Sequence, residues 1–221
     1  MARKAFFLFS ILFGLLTLVS CSQANEDHLP AKKEKLTQEE LTRFNKAYFA
    51  SGCFWCVEAV FESVQGVKEA VSGYSGGEIE SPTYELVSSG RTKHAESVVV
   101  YYDSSQVTYP TLLEVFFGSH DPTTLNRQGP DVGPQYRSIV FYQNEQEKRL
   151  AEDYIKKLDA SGQFSSKIVT EVTPFRRFYK AEAYHQDYER NHPNDPYIRN
   201  VSIPRIEKFK AKFPQLLKKN E

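Results

Sequence analysis

The sequence predicts an α+β fold in which helices pack on a mixed β-sheet, and two observations predict it. The chain has 221 residues, of which 40% are hydrophobic and 25% charged, which is ordinary for one globular domain and too apolar for a disordered chain. Strand-like and helix-like segments follow one another without a regular strand–helix–strand repeat, which favours a mixed sheet. The 28 basic and 28 acidic residues balance, so the composition gives no reason to expect a nucleic-acid partner.

The N-terminal segment has the pattern of a bacterial lipoprotein signal peptide. A short basic head precedes an apolar run of about fifteen residues, 5–19, which is too short to span a bilayer comfortably. The run ends in Leu18-Val-Ser-Cys21, which resembles the box at which lipoproteins are cleaved and lipidated. We expect removal of residues 1–20 and a lipid anchor on Cys21, which places the exported protein on a membrane of the bacterial cell envelope, facing the periplasm. An ordinary signal peptide or an uncleaved anchor is the alternative.

The rest of the chain is divided by its composition into two parts. Residues 21–43 are polar and charged with few apolar side chains, which predicts a tether that leads into a weak helix. Residues 44–221 carry the apolar periodicity of one folded domain.

In the first half of this domain, aromatic and β-branched runs predict strands, and apolar residues that recur every three or four positions predict a helix. Gly52 stops the first strand, and Gly66 is expected to end the helix. The expected elements, in chain order, are a strand over 46–51, a helix over 54–65, a strand over 67–72 that the glycine-rich run 73–77 breaks, and a strand over 96–102. Residues 84–88 are too few to assign.

In the second half, Pro110 can open a helix, and Asn144 with Glu147 forms a capping-box pattern that opens another. Residues 121–136 form a long loop with three prolines and two glycines, and such loops inside a compact domain are usually functional or disordered. The expected elements are a helix from Pro110, this loop, a strand over 138–142, a helix over 144–158, a strand over 167–172 that Pro174 ends, and helices near 181–190 and 206–217.

The reactive residue types concentrate where the first strand meets the first helix. Cys53 lies at the start of that helix, where free N–H groups and the helix dipole favour a thiolate and so a lowered pKa. Cys56 follows one turn later on the same side. A pair at this spacing in an exported protein points to nucleophilic or redox chemistry, although a buried cysteine can also be a packing residue. Phe54 and the single tryptophan, Trp55, lie between the two cysteines.

A series of motifs from about Lys46 to about Leu217 resembles the peptide-methionine (S)-S-oxide reductases in order and spacing. The motifs are Ser51-Gly-Cys-Phe-Trp-Cys56, Gly73-Tyr-Ser-Gly-Gly77, Pro82-Thr-Tyr84, His94-Ala-Glu96, His120-Asp-Pro122, Arg127-Gln-Gly129, Asp131, Gln135-Tyr-Arg-Ser138, Thr173-Pro-Phe175 and Tyr184-His-Gln186.

The resemblance implies a two-layer fold with a single catalytic domain. It implies reduction of the S epimer of methionine sulfoxide, free or in proteins, without a metal or organic cofactor. We expect a monomer that is recycled by a thioredoxin-like reductant. No four-ligand Cys/His pattern for zinc is visible in the sequence, in agreement with a metal-free site.

Sulfoxide reduction needs a nucleophile, an acid near the oxygen and an apolar slot for the methyl group. Cys53 is the nucleophile by its setting. Glu96 opens a strand among apolar and aromatic neighbours, where a carboxyl group has a raised pKa and can stay protonated near neutrality. An exposed Glu at the end of a strand is the alternative interpretation.

The remaining site residues are assigned by the resemblance. It implies that the hydroxyls of Tyr84 and Tyr136 can donate hydrogen bonds to the sulfoxide oxygen. It makes Asp131, in the long loop, another polar residue near the site. It makes Phe54 and Trp55 the aromatic walls around the methyl group.

Cys56 departs from the family pattern, because the commonest family motif has Gly at this position, and the C-terminal tail of this chain has no cysteine. Either Cys56 resolves a sulfenic acid on Cys53 to a disulfide, or it is a packing residue and an external thiol attacks. The sequence leaves both open.

Two other function classes remain for comparison. A strand, a Cys-x-x-Cys motif and a helix also occur in thiol–disulfide oxidoreductases of the thioredoxin type. That class places its tryptophan before the first cysteine, whereas Trp55 lies between the pair. A lipoprotein that only binds a ligand is the other alternative, and the cluster of residues around Cys53 argues against it.

Overall fold

The computed structural model describes Met1 and residues 36–219, and its central element is a β-sheet. The strands are β1 (Asn45–Ser51), β2 (Val67–Ser75), β3 (Ala95–Tyr102), β4 (Arg127–Gln128), β5 (Asp131–Val132), β6 (Ser138–Tyr142), β7 (Glu171–Pro174) and β8 (Tyr179–Lys180). The helices are α1 (Gln38–Leu41), α2 (Phe54–Glu62), α3 (Tyr84–Ser88), α4 (Tyr109–Gly118), α5 (Glu145–Ser161), α6 (Tyr188–Asn191) and α7 (Ile203–Lys212).

The sheet is mixed, as the sequence predicts. Its six strands lie in the order β7-β6-β1-β3-β2-β8. The β6–β7 pair is parallel and the other pairs are antiparallel. The strands β4 and β5 form a separate small hairpin within the loop 121–136. The α+β class with a mixed sheet is therefore confirmed.

The larger helices cover one face of the sheet. On this face Phe49 of β1 stacks on Phe61 of α2, with ring centroids 5.0 Å apart, and on Phe116 of α4 at 5.1 Å. Ala151 of α5 and Phe209 of α7 belong to the same buried cluster. This packing fixes α2 against the centre of the sheet, so the start of α2 has a defined position.

The opposite face is covered by aromatic residues and by the segment that precedes β1. Tyr48 stacks on Phe175 with ring centroids 3.7 Å apart, and Leu36 and Leu41 pack in the same cluster. The compact unit begins at Leu36, so the last part of the segment predicted as a tether (21–43) packs on the sheet.

The structure differs from the expected elements in three segments. The strand β2 continues through Gly73 to Ser75, because Gly73 lets β8 approach: a Cβ there would lie 2.4 Å from the Tyr179 carbonyl oxygen. Residues 84–88 form α3, which Thr83 caps. The strand predicted over 167–172 is observed as β7, an edge strand that includes Pro174, since an edge position tolerates a missing N–H.

The predicted helix near 181–190 is wrong. Asp187 has a φ of 53°, a left-handed conformation that interrupts a helix, so the segment forms one 3₁₀ turn at Ala183–His185 and the short α6. The last helix begins at Ile203, earlier than predicted, after a π-helical turn at Ile198–Ser202.

The predicted signal peptide (1–20), Cys21 and most of the tether lie outside the described residues. Among residues 36–219, none of the helices combines the length and the hydropathy that a membrane span requires.

Candidate active site

The turn between β1 and α2 presents Cys53 at the start of the helix. Gly52 has a φ of 82°, which favours glycine, and a Cβ there would lie 2.6 Å from Cβ of Gln128. The Gly52 N–H donates to the Tyr136 carbonyl oxygen at 3.1 Å. Cys53 is the residue before the first helical residue of α2, so its position agrees with the sequence prediction.

Both cysteines of this turn are free and buried, and their thiols influence each other. Burial raises the pKa of Cys53, and Cys56 and Glu96 nearby raise it further. The predicted lowering of the Cys53 pKa is therefore wrong for the substrate-free site, because burial outweighs the helix start. The pKa of Cys56 is lowered to about 6, first by a hydrogen bond from Cys53 and then by the positive charge of Arg205. The pair thus holds its negative charge on Cys56.

Glu96 faces the same helix start from β3. Its Oε2 accepts a hydrogen bond from the Phe54 N–H at 3.0 Å, and the residue is 2% exposed. Burial, with smaller contributions from Asp131 and Cys56, raises the pKa of Glu96 to about 8, although the hydrogen bond from Phe54 opposes this shift. The carboxyl group therefore keeps its proton at neutral pH. It lies next to Phe54, the residue that follows Cys53.

The two predicted tyrosines and Asp131 lie around Cys53 and Glu96. Burial raises the pKa of Tyr84 to about 12, and it also raises the pKa of Tyr136. Electrostatic interactions with Glu96, Cys53 and Asp131 contribute to both shifts. The tyrosines keep their protons and can donate hydrogen bonds.

Phe54 and Trp55 form an aromatic wall on the first turn of α2. Trp55 stacks on Tyr188 with ring centroids 3.7 Å apart, and its Nε1–H donates to Nδ1 of His185 at 3.1 Å. The His185 ring lies 4.9 Å from Phe54 and 4.4 Å from Tyr84, centroid to centroid. His185 therefore orients the indole ring of Trp55.

Sequence analysis missed Tyr197 and Arg205. The Tyr197 hydroxyl donates to Oδ2 of Asp131 at 2.7 Å and lies 3.9 Å from Sγ of Cys56. Both missed residues belong to the C-terminal region that wraps back over α2. No local motif marks them, because their partners are more than sixty residues away in the sequence.

A cavity of about 480 Å³ opens beside Cys56. Its lining includes Cys56, His120, Asp131, Tyr197, Arg205 and Lys208. Burial lowers the pKa of His120 to about 3, so this histidine is neutral.

Among the described residues, one group of carboxylates could share a cation: Glu62, Glu69 and Asp187, whose oxygens lie within 4.8 Å of one another. Arg190 already bonds to Glu62 and Asp187, so the chain supplies positive charge there itself. The Cys53 site does not include this group.

The geometry defines a class of protein. A buried cysteine pair at the start of a helix, with a protonated carboxyl group and an aromatic wall beside it, is the site of a thiol-dependent oxidoreductase.

Comparison with known proteins gives the family. The family model "Peptide methionine sulfoxide reductase" matches residues 45–217. The chain is 52% identical over 169 residues to the peptide methionine sulfoxide reductase MsrA of Natronomonas pharaonis, which covers 76% of this chain and 95% of the relative. It is 48% identical over 175 residues to that of Saccharolobus solfataricus, covering 79% and 98%.

Solved structures agree. Methionine sulfoxide reductase A of Corynebacterium diphtheriae matches with a TM-score of 0.60 and 36% identity, over 67% of this chain and 74% of that one. Reduced Mxr1 of Saccharomyces cerevisiae matches with a TM-score of 0.63 and 34% identity, over 68% and 86%. The chain belongs to the peptide methionine sulfoxide reductase family and is an enzyme that reduces methionine sulfoxide. This excludes the thioredoxin-type and binding-only alternatives.

Proposed function

We propose that this enzyme reduces the S epimer of methionine sulfoxide, in proteins or free, by attack of the Cys53 thiolate while Glu96 protonates the oxygen. The observation that carries the proposal is the buried Glu96 carboxyl, bonded to the N–H of Phe54 and thus held beside Cys53. The preference for the S epimer rests on the family resemblance.

In the first step, the oxygen passes from the methionine sulfur to the sulfur of Cys53. The Cys56 thiolate accepts the Cys53 proton through the hydrogen bond between the two sulfurs, which forms the nucleophile once substrate is bound. Glu96 donates its proton to the sulfoxide oxygen. Methionine leaves, and Cys53 remains as a sulfenic acid.

The remaining site residues orient the substrate. Phe54 and Trp55 form an apolar wall for the methyl group, and His185 holds the indole ring through the bond to Nε1. The hydroxyls of Tyr84 and Tyr136 keep their protons, and both can donate to the sulfoxide oxygen as negative charge develops there.

In the second step, the Cys56 thiolate attacks the sulfur of the Cys53 sulfenic acid. A sulfur–sulfur bond forms, the sulfur–oxygen bond breaks, and the leaving hydroxide takes up a proton as water. A thioredoxin-like dithiol then reduces the Cys53–Cys56 disulfide. No metal or organic cofactor takes part. The alternative is that an external thiol attacks Cys53 directly while Cys56 remains a packing residue.

Replacing Cys56 with serine separates these two alternatives. Cys56→Ser is expected to release one methionine per chain, more slowly than wild type because the base for Cys53 is lost, and then to accumulate a sulfenic acid that dimedone traps, because no internal thiol can condense with it. Wild type, mixed with excess S-sulfoxide and no reductant, should instead lose both thiols and become lighter by two hydrogen atoms. Thiol counting and mass spectrometry measure both outcomes. A free Cys56 thiol beside a trappable sulfenic acid in wild type would contradict the resolving role.

We also propose that residues 1–20 are a lipoprotein signal peptide and that a tether leads from Cys21 to the folded catalytic unit, which begins at Leu36. The Leu18-Val-Ser-Cys21 box supports a lipid on Cys21 and a site in the bacterial cell envelope, facing the periplasm. The reductant would then be supplied outside the cytoplasm.

Cys21→Ala is expected to block processing or release the protein from membranes, since stable anchoring takes two lipid signals on this one residue. Fractionation of cells followed by mass spectrometry of the N-terminal peptide measures the result. A wild-type protein that fractionates away from membranes with an unmodified Cys21 would refute the anchor.

A further inference from the structure

Arg205 of α7 reaches the turn that carries Cys53. Its Nε–H donates to the Ser119 carbonyl oxygen at 2.7 Å, and its Nη2–H donates to Oγ of Ser51 at 3.2 Å. Its Nη1 lies 3.5 Å from the place that a Cβ of residue 52 would occupy. Both acceptors are neutral, so they hold the guanidinium in place without cancelling its charge. Arg205 and Cys56 line the same cavity.

We propose that Arg205 is a positioning residue that holds Cys56 in the thiolate form in which it attacks the Cys53 sulfenic acid. The inference rests on the resolving role of Cys56 proposed above. It concerns the second chemical step, after methionine has left.

The groups around Cys56 carry charges of both signs. Cys53 donates a hydrogen bond to it, and the Tyr197 hydroxyl lies 3.9 Å from its Sγ, from the segment before α7. Asp131 of β5 accepts from that same hydroxyl at 2.7 Å, so its negative charge lies behind the tyrosine. From β3, Glu96 stays neutral near pH 7 because burial raises its pKa to about 8.

The other neighbours line the cavity. His120 follows α4 and is neutral, since burial lowers its pKa to about 3. Ser202 of the π-helical turn also lowers the pKa of Cys56, and its hydroxyl donates to the Glu189 carboxylate. Asp121 and Lys208 line the same cavity as Arg205. Among these described neighbours, Arg205 is the cation that lowers the pKa of Cys56.

The resolving step needs this charge because the thiolate is the attacking form. Cys56 passes through the thiol form when it accepts the Cys53 proton in the first step. It must then lose that proton again before it can attack. An ordinary thiol, with a pKa of about 8.5, is mostly protonated at neutral pH, and a positive charge beside it favours the thiolate. Disulfide formation should therefore slow at neutral pH when the charge of Arg205 is removed.

The test measures the titration of Cys56 without any turnover. In the full chain with Cys21→Ser and Cys53→Ser, Cys56 is the single thiol, and the ultraviolet absorbance of its thiolate is followed against pH. Arg205→Gln, which removes the charge but keeps amide donors, should raise the midpoint by about one pH unit or more. Arg205→Met should do the same, and Arg205→Lys should stay closer to the parent. The two neutral variants differ in the shape of their side chains. If one of them does not fold, the other still tests the inference.

Lys208→Met is the matched control, because Lys208 lines the same cavity one helical turn after Arg205 and is exposed. It should leave the midpoint where it is. An unchanged midpoint in Arg205→Gln would overturn the inference and leave the resolving role of Cys56 standing, because that role is decided separately by thiol counts after one turnover.

Discussion

Cys53→Ser is expected to abolish methionine release, even with excess dithiol, because no other group in the site can accept the sulfoxide oxygen. Cys56 lies one turn further into α2. The serine hydroxyl is a poor nucleophile, and the Cys56 thiolate beside it is too weak a base to remove the proton of an alcohol. The experiment mixes the reduced variant with S-sulfoxide and counts methionine in a single turnover.

Cys56→Ser is the control for this variant, since it removes the other thiol of the pair at a similar depth of burial. It should still release one methionine per chain, although more slowly than wild type, because Cys56 also accepts the Cys53 proton in the first step. Appreciable release by Cys53→Ser would show that Cys53 is not the nucleophile.

Glu96→Gln is expected to slow methionine release by about 10²- to 10⁴-fold, the usual contribution of general acid catalysis. The amide oxygen can still accept from the Phe54 N–H, so the local structure should persist, but the proton for the sulfoxide oxygen is lost. Binding of a sulfoxide peptide should change much less than the rate.

The pH dependence gives the sharper result. Burial raises the pKa of Glu96 to about 8, so the acid is protonated below that pH and loses its proton above it. The wild-type rate of methionine release should therefore fall as the pH rises through about 8. The Gln variant has no such proton and should lack this fall. A variant with the wild-type rate across the whole pH range would rule out Glu96 as the acid.

Local patterns predicted the elements that carry the site. Gly52 and the apolar spacing after it placed Cys53 at the start of α2, and β3 was recognised from its β-branched residues. The same local signals mislead where tertiary contacts decide. The glycine at position 73 looks like a strand breaker, yet it lies inside β2 to admit β8.

Local sequence patterns do not predict the long-range contacts of the site. Phe54 and Glu96 are 42 residues apart, and the family resemblance, not the pattern, brought them together. Arg205 bonds to Ser51, which lies 154 residues earlier in the sequence, so no pattern in the segment around Arg205 indicates this contact. The predicted direction of the Cys53 pKa failed for the same reason: the helix start is a local feature, whereas burial against Glu96 and Cys56 depends on the whole fold.

A stereospecific single-turnover assay tests the central claim most directly. Reduced enzyme is mixed, without reductant, with an excess of either the S or the R epimer of a methionine sulfoxide peptide, and methionine and remaining thiols are counted. The account predicts one methionine per chain from the S epimer, loss of the Cys53 and Cys56 thiols, and no release from the R epimer. Equal release from both epimers, or release while the Cys53 thiol stays free, would contradict it.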